Sequence, residues 1–321
     1  MAGAKAHPHL SPEEMADYQR EITRSTETLG RCLELPGMQR LNARMAAQRS
    51  EALQHLRKAR GIDTSAYMGP RDKPALEKWN GMSHERYVGP GVSKDPQDLF
   101  HFKWSDKPVA KPAGCILTPE SIYGPYWQEE QPQRQDIRDG RKGVYLRLAL
   151  QVIDLDTCKP LRGARVDAWH TNAEGAYSSK ADSWLRGWQP TSEWGTVSFD
   201  TIFPGHYSGR ATHVHVTVRQ PNAKSIVHSG QIYFDEWPRR LVETKDPYTK
   251  NKNKLVHTVD DAWAPDAASS KYDPFAQWAW LGYPRIDDGV LAWIAMGVNL
   301  TAPVKQPPDR KRSFLNDHLE H

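Results

Sequence analysis

Three textures follow one another along the chain. In the first, Leu29, Leu33, Leu41, Met45, Leu53 and Leu56 recur at helical spacing with Lys, Arg and Glu between them. Such spacing gathers apolar side chains on one helix face. Ser11-Pro12-Glu13-Glu14 forms a helix start: a capping hydroxyl, a proline in the first turn, and acidic groups near the positive helix end. Pro36-Gly37 interrupts the run, so residues 1–60 read as an N-terminal segment of two helices. Their stripes suit packing on a main domain or a homodimer contact. Residues 61–112, rich in Pro, Gly, Lys and Asp and without a period, read as a wrapping linker.

From residue 113 the period falls to two. Val144–Asp154, Arg165–His170, Thr196–Ile202, His213–Arg219 and Ser229–Phe234 alternate as strands do, with Gly- or Pro-containing turns between them. Residues 240–300 are less regular and end in an apolar closing strand, Gly289–Val298. The pattern predicts a mainly β chain: an antiparallel β-sandwich over 113–300, preceded by the helical segment and followed by an irregular C-terminal tail, with residues 301–321 polar.

Composition narrows the function. No run approaches the ~18 apolar residues that cross a bilayer, so no membrane partner is expected. The net charge is +4 with scattered basic residues, which argues against nucleic acid. Cys32, Cys115 and Cys158 form no CxxC pair. A Cys115–Cys158 disulfide with Cys32 left over, or three thiols, are both open. Residues 1–10 lack the apolar core of a signal peptide. The chain is therefore either intracellular or numbered without its leader.

The chemistry gathers at Pro204–His215. On a strand, His213 and His215 point to the same face, while Val214, Val216 and Val218 take the other. That is how a sheet presents two imidazoles to one metal. No carboxylate or cysteine stands beside them at ordinary ligand spacing, which weakens a zinc hydrolase. Tyrosines do: Tyr207 nearby and Tyr177 in Gly175-Ala176-Tyr177. A phenol is protonated near neutral pH, but a ferric ion binds it as phenolate, and two phenolates with two imidazoles favour Fe(III). On residues alone, a non-catalytic β-sandwich module and a zinc hydrolase stay open beside an iron enzyme.

The order G-x-Y, P-G-x-Y, R-x-x-H-x-H resembles the intradiol ring-cleavage dioxygenases. Cys115–Glu120, Gly124-Pro125-Tyr126, Val166–Tyr177, Trp184–Thr191, Phe199–Tyr207 and Asp273-Pro274-Phe275 look like the fungal, often secreted, branch of that family. The resemblance covers roughly residues 113–300 and implies intradiol cleavage of a catechol-type diol by O2. It implies one Fe(III) per chain, no organic cofactor, and a muconate-type diacid as product. It places Tyr177 and His213 as equatorial ligands and Tyr207 and His215 as axial ones, with Tyr207 leaving when substrate binds. Arg210 matches the arginine that stabilises charge on the substrate, and Gln231 a glutamine that supports the site without touching metal. His206 should point away from the site, while Tyr126 and Trp127 either line the substrate cavity or simply pack.

Two features depart from the family pattern. Only five residues separate Tyr207 from His213, and Trp188 and Trp194 stand where smaller residues are usual. Both bear on the shape of the pocket. The resemblance favours export over a cytoplasmic site.

Overall fold

The computed structural model describes residues 28, 31–32, 35–61, 83–85, 126–261, 264 and 274–300. The starting motif at Ser11, nearly all of the 61–112 linker, Cys115–Glu120, Gly124-Pro125, Asp273 and the 301–321 tail lie outside them. The expected β-sandwich is present. In chain order come helix α1 (Pro36–Ala59), β1 (Tyr145–Asp154), β2 (Lys159–Pro160), β3 (Arg165–Trp169), β4 (Arg186–Pro190), β5 (Thr196–Ile202), β6 (His213–Arg219) and β7 (Ile226–Tyr233). Helix α2 (Glu236–Glu243), β8 (Gln277–Trp280) and β9 (Val290–Val298) complete it.

Two sheets form the body. In the first, β1 pairs along one edge with β9, which pairs on with β8, and along the other with β5 and then the short β2. The second runs β4-β3-β6-β7. Strand pairing within the sheets is antiparallel except between β1 and β9, which run parallel from Leu146↔Val290 to Asp154↔Val298. The core lies between the sheets. Leu146, Leu148, Leu150 and Val152 of β1 meet Val166 and Ala168 of β3 and Val214, Val216 and Val218 of β6 in one buried cluster. Each large side chain so buried contributes roughly 1.5–3 kcal/mol.

The outer face of the first sheet is covered by α1. Met38, Leu41 and Met45 pack on Ile153 and Leu155, while Leu53 and Leu56 pack on Tyr145, Leu291 and Trp293. Arg57 closes the helix by donating to the carbonyls of Leu281 and Trp280 at 2.8 and 2.9 Å. Of the stripe that suited either packing or a dimer contact, Leu41, Met45, Leu53 and Leu56 pack on the chain's own sheet, while Leu29 and Leu33 lie outside the described residues. The break falls before Pro36, where Leu35 is extended (φ −67°, ψ 138°) and the proline occupies the first turn, needing no N–H partner.

The disulfide differs from the expected pairing. Cys158 bonds to Cys32, with Cα atoms 4.9 Å apart, rather than to Cys115. Packing α1 against Ile153 and Leu155 brings Cys32 to the β1–β2 turn. Ser83–Glu85, from the linker, also docks on the body: Glu85 bridges Trp278, and the His84 N–H donates to Asp235 at 2.7 Å.

Candidate metal centre

The functional side chains stand on the outer face of the second sheet. Along β6 the valines turn into the core, so period two turns His213 and His215 outward. Register then sets their neighbours. Trp169 and Gln231 flank His215, and Tyr233 lies opposite His213. Trp169 stacks flat on His215, with centroids 4.9 Å apart and planes at 5°, which fixes that imidazole's plane.

The two tyrosines arrive on loops locked together through their backbones. Gly175 has φ +80°, and a Cβ there would stand 2.1 Å from the His206 carbonyl oxygen. A Cβ on Gly205 would stand 2.5 Å from the carbonyl oxygens of Asn172 and Ala173. Only glycine lets the Thr171–Tyr177 and Phe203–Tyr207 loops approach so closely. The Gly205 N–H donates to Asn172 O (3.1 Å), and Thr171 Oγ1 donates to Gly205 O (2.7 Å). Asn251 Nδ2 clamps His206 O at 2.8 Å.

Tyr177, Tyr207, His213 and His215 therefore close a ring. Successive centroids are 5.3 Å (Tyr177–Tyr207), 5.6 Å (Tyr207–His213), 4.6 Å (His213–His215) and 6.2 Å (His215–Tyr177). The Nε2 atoms of His213 and His215 face each other at 3.0 Å. Two nitrogens each about 2.1 Å from one first-row cation, bound at right angles, would stand about this far apart. His213 Nδ1 donates to the Ala211 carbonyl at 2.7 Å, so in the neutral ring Nε2 carries the lone pair. Burial holds both imidazoles well below their usual pKa, in the neutral form that binds metal.

Tyr177 supplies the clearest mark. Its hydroxyl oxygen is buried and has no hydrogen-bond partner among the described residues. Burial, and then the neighbouring Tyr207, push its phenol well above the ordinary range. Burial also raises Tyr207, against the pull of Arg210. A strongly charged cation among the four groups would reverse this, ionising the phenols and satisfying the Tyr177 oxygen. Among the described residues no group of three His, Cys, Asp or Glu side chains converges as a metal site. Two nitrogens and two phenols, taken together as donors, would suit iron(III) better than zinc.

Arg210 lies behind Tyr207. Its Nε donates to both carboxylate oxygens of Asp261 (3.0 and 2.9 Å), and its Nη1 to Tyr207 Oη (3.0 Å). Its Nη2 donates to Gln231 Oε1 and, at 3.0 Å, to Tyr233 Oη. Both Arg210 and Gln231 are thus brought to the quartet. Tyr126 stacks on Tyr177 at 4.2 Å and is 43% exposed, so it covers the solvent side. Its carbonyl is held by the buried Arg186, whose Nη1 donates at 2.8 Å and whose Nε binds Ser178 Oγ. His206 turns away as expected, toward Asn253 O (3.0 Å) and Glu243 Oε1 (3.1 Å).

Trp194 is a correction. It packs with Cys158 in the cluster under α1, beneath the Arg44 guanidinium at 3.7 Å, and so lies across the sandwich from the quartet. The β4–β5 turn that carries it reaches the first sheet. Trp188 stays on the site's sheet, paired with Asp167 and covered by Arg165 at 4.5 Å. Trp127 lies 5.8 Å from Arg219. Asp261, Tyr233, Trp169 and Arg186 were missed in the sequence. Trp169 and Tyr233 had a usable signal, since strand register places them opposite the two histidines.

A family model described as "Dioxygenase" matches residues 122–273. The chain is 24% identical over 193 residues to an intradiol ring-cleavage dioxygenase of Aspergillus niger, covering 51% of this chain and 56% of that protein. It is 31% identical over 115 residues to catechol 1,2-dioxygenase of Candida albicans, covering 32% of this chain and 37% of that protein. It therefore spans about half or less of these relatives' length. Among solved structures, an intradiol ring-cleavage dioxygenase from Tetranychus urticae superposes with TM-score 0.52 at 29% identity, over 59% of this chain and 96% of the other. A second dioxygenase structure gives 0.51 at 30% identity, over 59% and 96%.

Proposed function

We propose, from the premise that this chain belongs to the intradiol ring-cleavage dioxygenase family, that it splits a catechol-type ring between its hydroxyl-bearing carbons. The reaction consumes O2, gives a muconate-type diacid and needs no reductant. Tyr177, Tyr207, His213 and His215 would hold one Fe(III) per chain. The observation that carries the reading is the buried Tyr177 hydroxyl, without a partner among the described residues, in a closed ring with Tyr207 and two imidazoles whose Nε2 atoms face each other. When bound, the ferric ion supplies Lewis acidity that ionises phenols and a chelating diol and opens the diol ring to attack by O2.

The chain's own groups do the rest. His213 is held in one tautomer by the Ala211 carbonyl, and His215 in one plane by Trp169. Tyr207 Oη already accepts from the Arg210 guanidinium. A cationic donor therefore already holds that oxygen, which would take up a proton from the incoming diol. The same guanidinium is fixed in place before negative charge builds on the substrate, so no reorganisation is needed when it does. Tyr126 shields the Tyr177 side from water and offers an aromatic face to an aromatic substrate. The Cys32–Cys158 disulfide supports residence in an oxidising compartment, in line with an exported protein.

Oxygen uptake by the iron-loaded protein with catechol tests the reading. The expected result is one O2 consumed per catechol, without NAD(P)H, with the diacid as product. An extradiol semialdehyde, or no uptake, would overturn it.

A further inference from the structure

We propose that Asp261 is a positioning residue for this reaction, aiming Arg210 at the Tyr207 oxygen and fixing the residue that orients His213. The inference rests on the dioxygenase reading above. Asp261 is 1% exposed and sits well downstream of the ligand motif, just after a single 3-10 turn, Thr258–Asp260. Its carboxylate reaches two consecutive residues ahead of β6. Both oxygens accept from Arg210 Nε, and Oδ2 also accepts from the Ala211 N–H at 2.6 Å. The Ala211 carbonyl is the acceptor that holds His213 Nδ1 at 2.7 Å. On its own side of the chain, Oδ1 accepts from the Ala264 N–H at 3.0 Å, which keeps the carboxylate from following Arg210.

The consequence for the site is directional. Asp261 fixes Nε of the guanidinium, and Gln231 and Tyr233 fix Nη2. A planar fork pinned at two nitrogens has its third determined, and Nη1 meets Tyr207 Oη at 3.0 Å. One carboxylate thus supports two members of the ligand set by separate routes. It reaches Tyr207 through the arginine side chain, and His213 through Ala211. It also balances the charge of a guanidinium that is 7% exposed and otherwise meets neutral oxygens in the contacts above. A carboxylate that merely tied down its loop would need Ala264 and nothing on Arg210.

The test uses the full chain loaded with iron, comparing Asp261→Asn with the parent. Asparagine keeps the size and one acceptor but removes the charge. It should still fold and bind one iron per chain, melting below the parent because the buried Arg210 loses its counter-charge. Its kcat for catechol should fall about a hundredfold, the scale of a small misplacement at a reacting centre, with KM little changed. The visible tyrosinate band should shift, because the donor to Tyr207 is no longer held in line. Asp261→Glu, which keeps the charge but displaces it by one methylene, should lie between the two. Adding Asp261→Asn to Arg210→Lys should cost little further, since the carboxylate acts largely through that arginine. The inference is overturned if Asp261→Asn keeps the parent's band and kcat, or if its loss multiplies in full with that of Arg210→Lys. A parent that takes up no iron and consumes no O2 with catechol would overturn the dioxygenase reading, and this inference with it.

Discussion

Replacing Tyr177 by Phe removes one oxygen, and that deletion should act differently in two states of the protein. The Tyr177 hydroxyl is buried with no hydrogen-bond partner among the described residues. A buried unsatisfied polar group costs about 1–3 kcal/mol, so metal-free Tyr177→Phe should be more stable than the parent by about that amount. For a chain of 321 residues each kcal/mol moves Tm by about 1.5 °C. In the loaded protein that advantage should shrink or reverse. A metal present at a hundredfold excess over its Kd adds about 2.7 kcal/mol to the folded state, and the variant forfeits most of that. Tyr207→Phe is the internal control, because its hydroxyl accepts from Arg210 Nη1. Its loss leaves a buried cationic donor unpaired and should lower the metal-free Tm. Thermal melts of parent and both variants, with and without ferric iron, read all of this. A metal-free Tyr177→Phe that melts below the parent would refute the reasoning. So would one whose iron-induced rise in Tm equals the parent's.

Other consequences follow from the same structure. Gly175→Ala should lower Tm by several degrees and weaken iron retention. The left-handed backbone at φ +80° costs a non-glycine residue about 1–2 kcal/mol, and the new methyl would meet the His206 carbonyl at 2.1 Å; an unchanged melt and iron content would contradict it. Stability should fall as the pH drops from about 6.5 toward 4, because burial lowers both His170 and His228 to about 4 and the unfolded chain takes up their protons first. Neither ring nitrogen of His228 has a partner among the described residues, so His228→Leu should melt higher near neutrality and lose part of that slope. Denaturant titrations across this range would show the opposite if His228 were satisfied. Reducing Cys32–Cys158, which closes a loop of 126 residues, should cost about 3–5 kcal/mol in denaturant titrations; equal midpoints with and without reductant would contradict it.

The parts of the structure that were legible are those where local pattern and chemistry coincide. His213–Arg219 and Thr196–Ile202 are strands over the bounds their alternation predicts. The H-x-H spacing on β6 puts two imidazoles on one face whatever else the chain does. β4 and β8 were harder to see. β4 is five residues long with a glycine inside and a proline at its end, and β8 is four residues long, too short for a period to register. The parallel pairing of β1 with β9 joins strands far apart in sequence, and no local rule specifies it. The disulfide was misread because spacing alone does not choose among three cysteines. The choice is made by α1 packing on Ile153 and Leu155. Asp261 gave no signal either, since its meaning lies in reaching Arg210 and Ala211 from a segment without periodicity. Trp194 shows the converse, where a bulky residue near the motifs in sequence lies on the other side of the sandwich.

One ferric ion held by Tyr177, Tyr207, His213 and His215 and open to a chelating diol would colour the protein through its phenolates. The visible absorption spectrum of the iron-loaded protein, recorded before and after adding catechol, tests it most directly. A broad red-brown tyrosinate-to-iron band that shifts when catechol binds is the predicted result. A protein that stays colourless after aerobic iron loading, and shows no band with catechol, would contradict it.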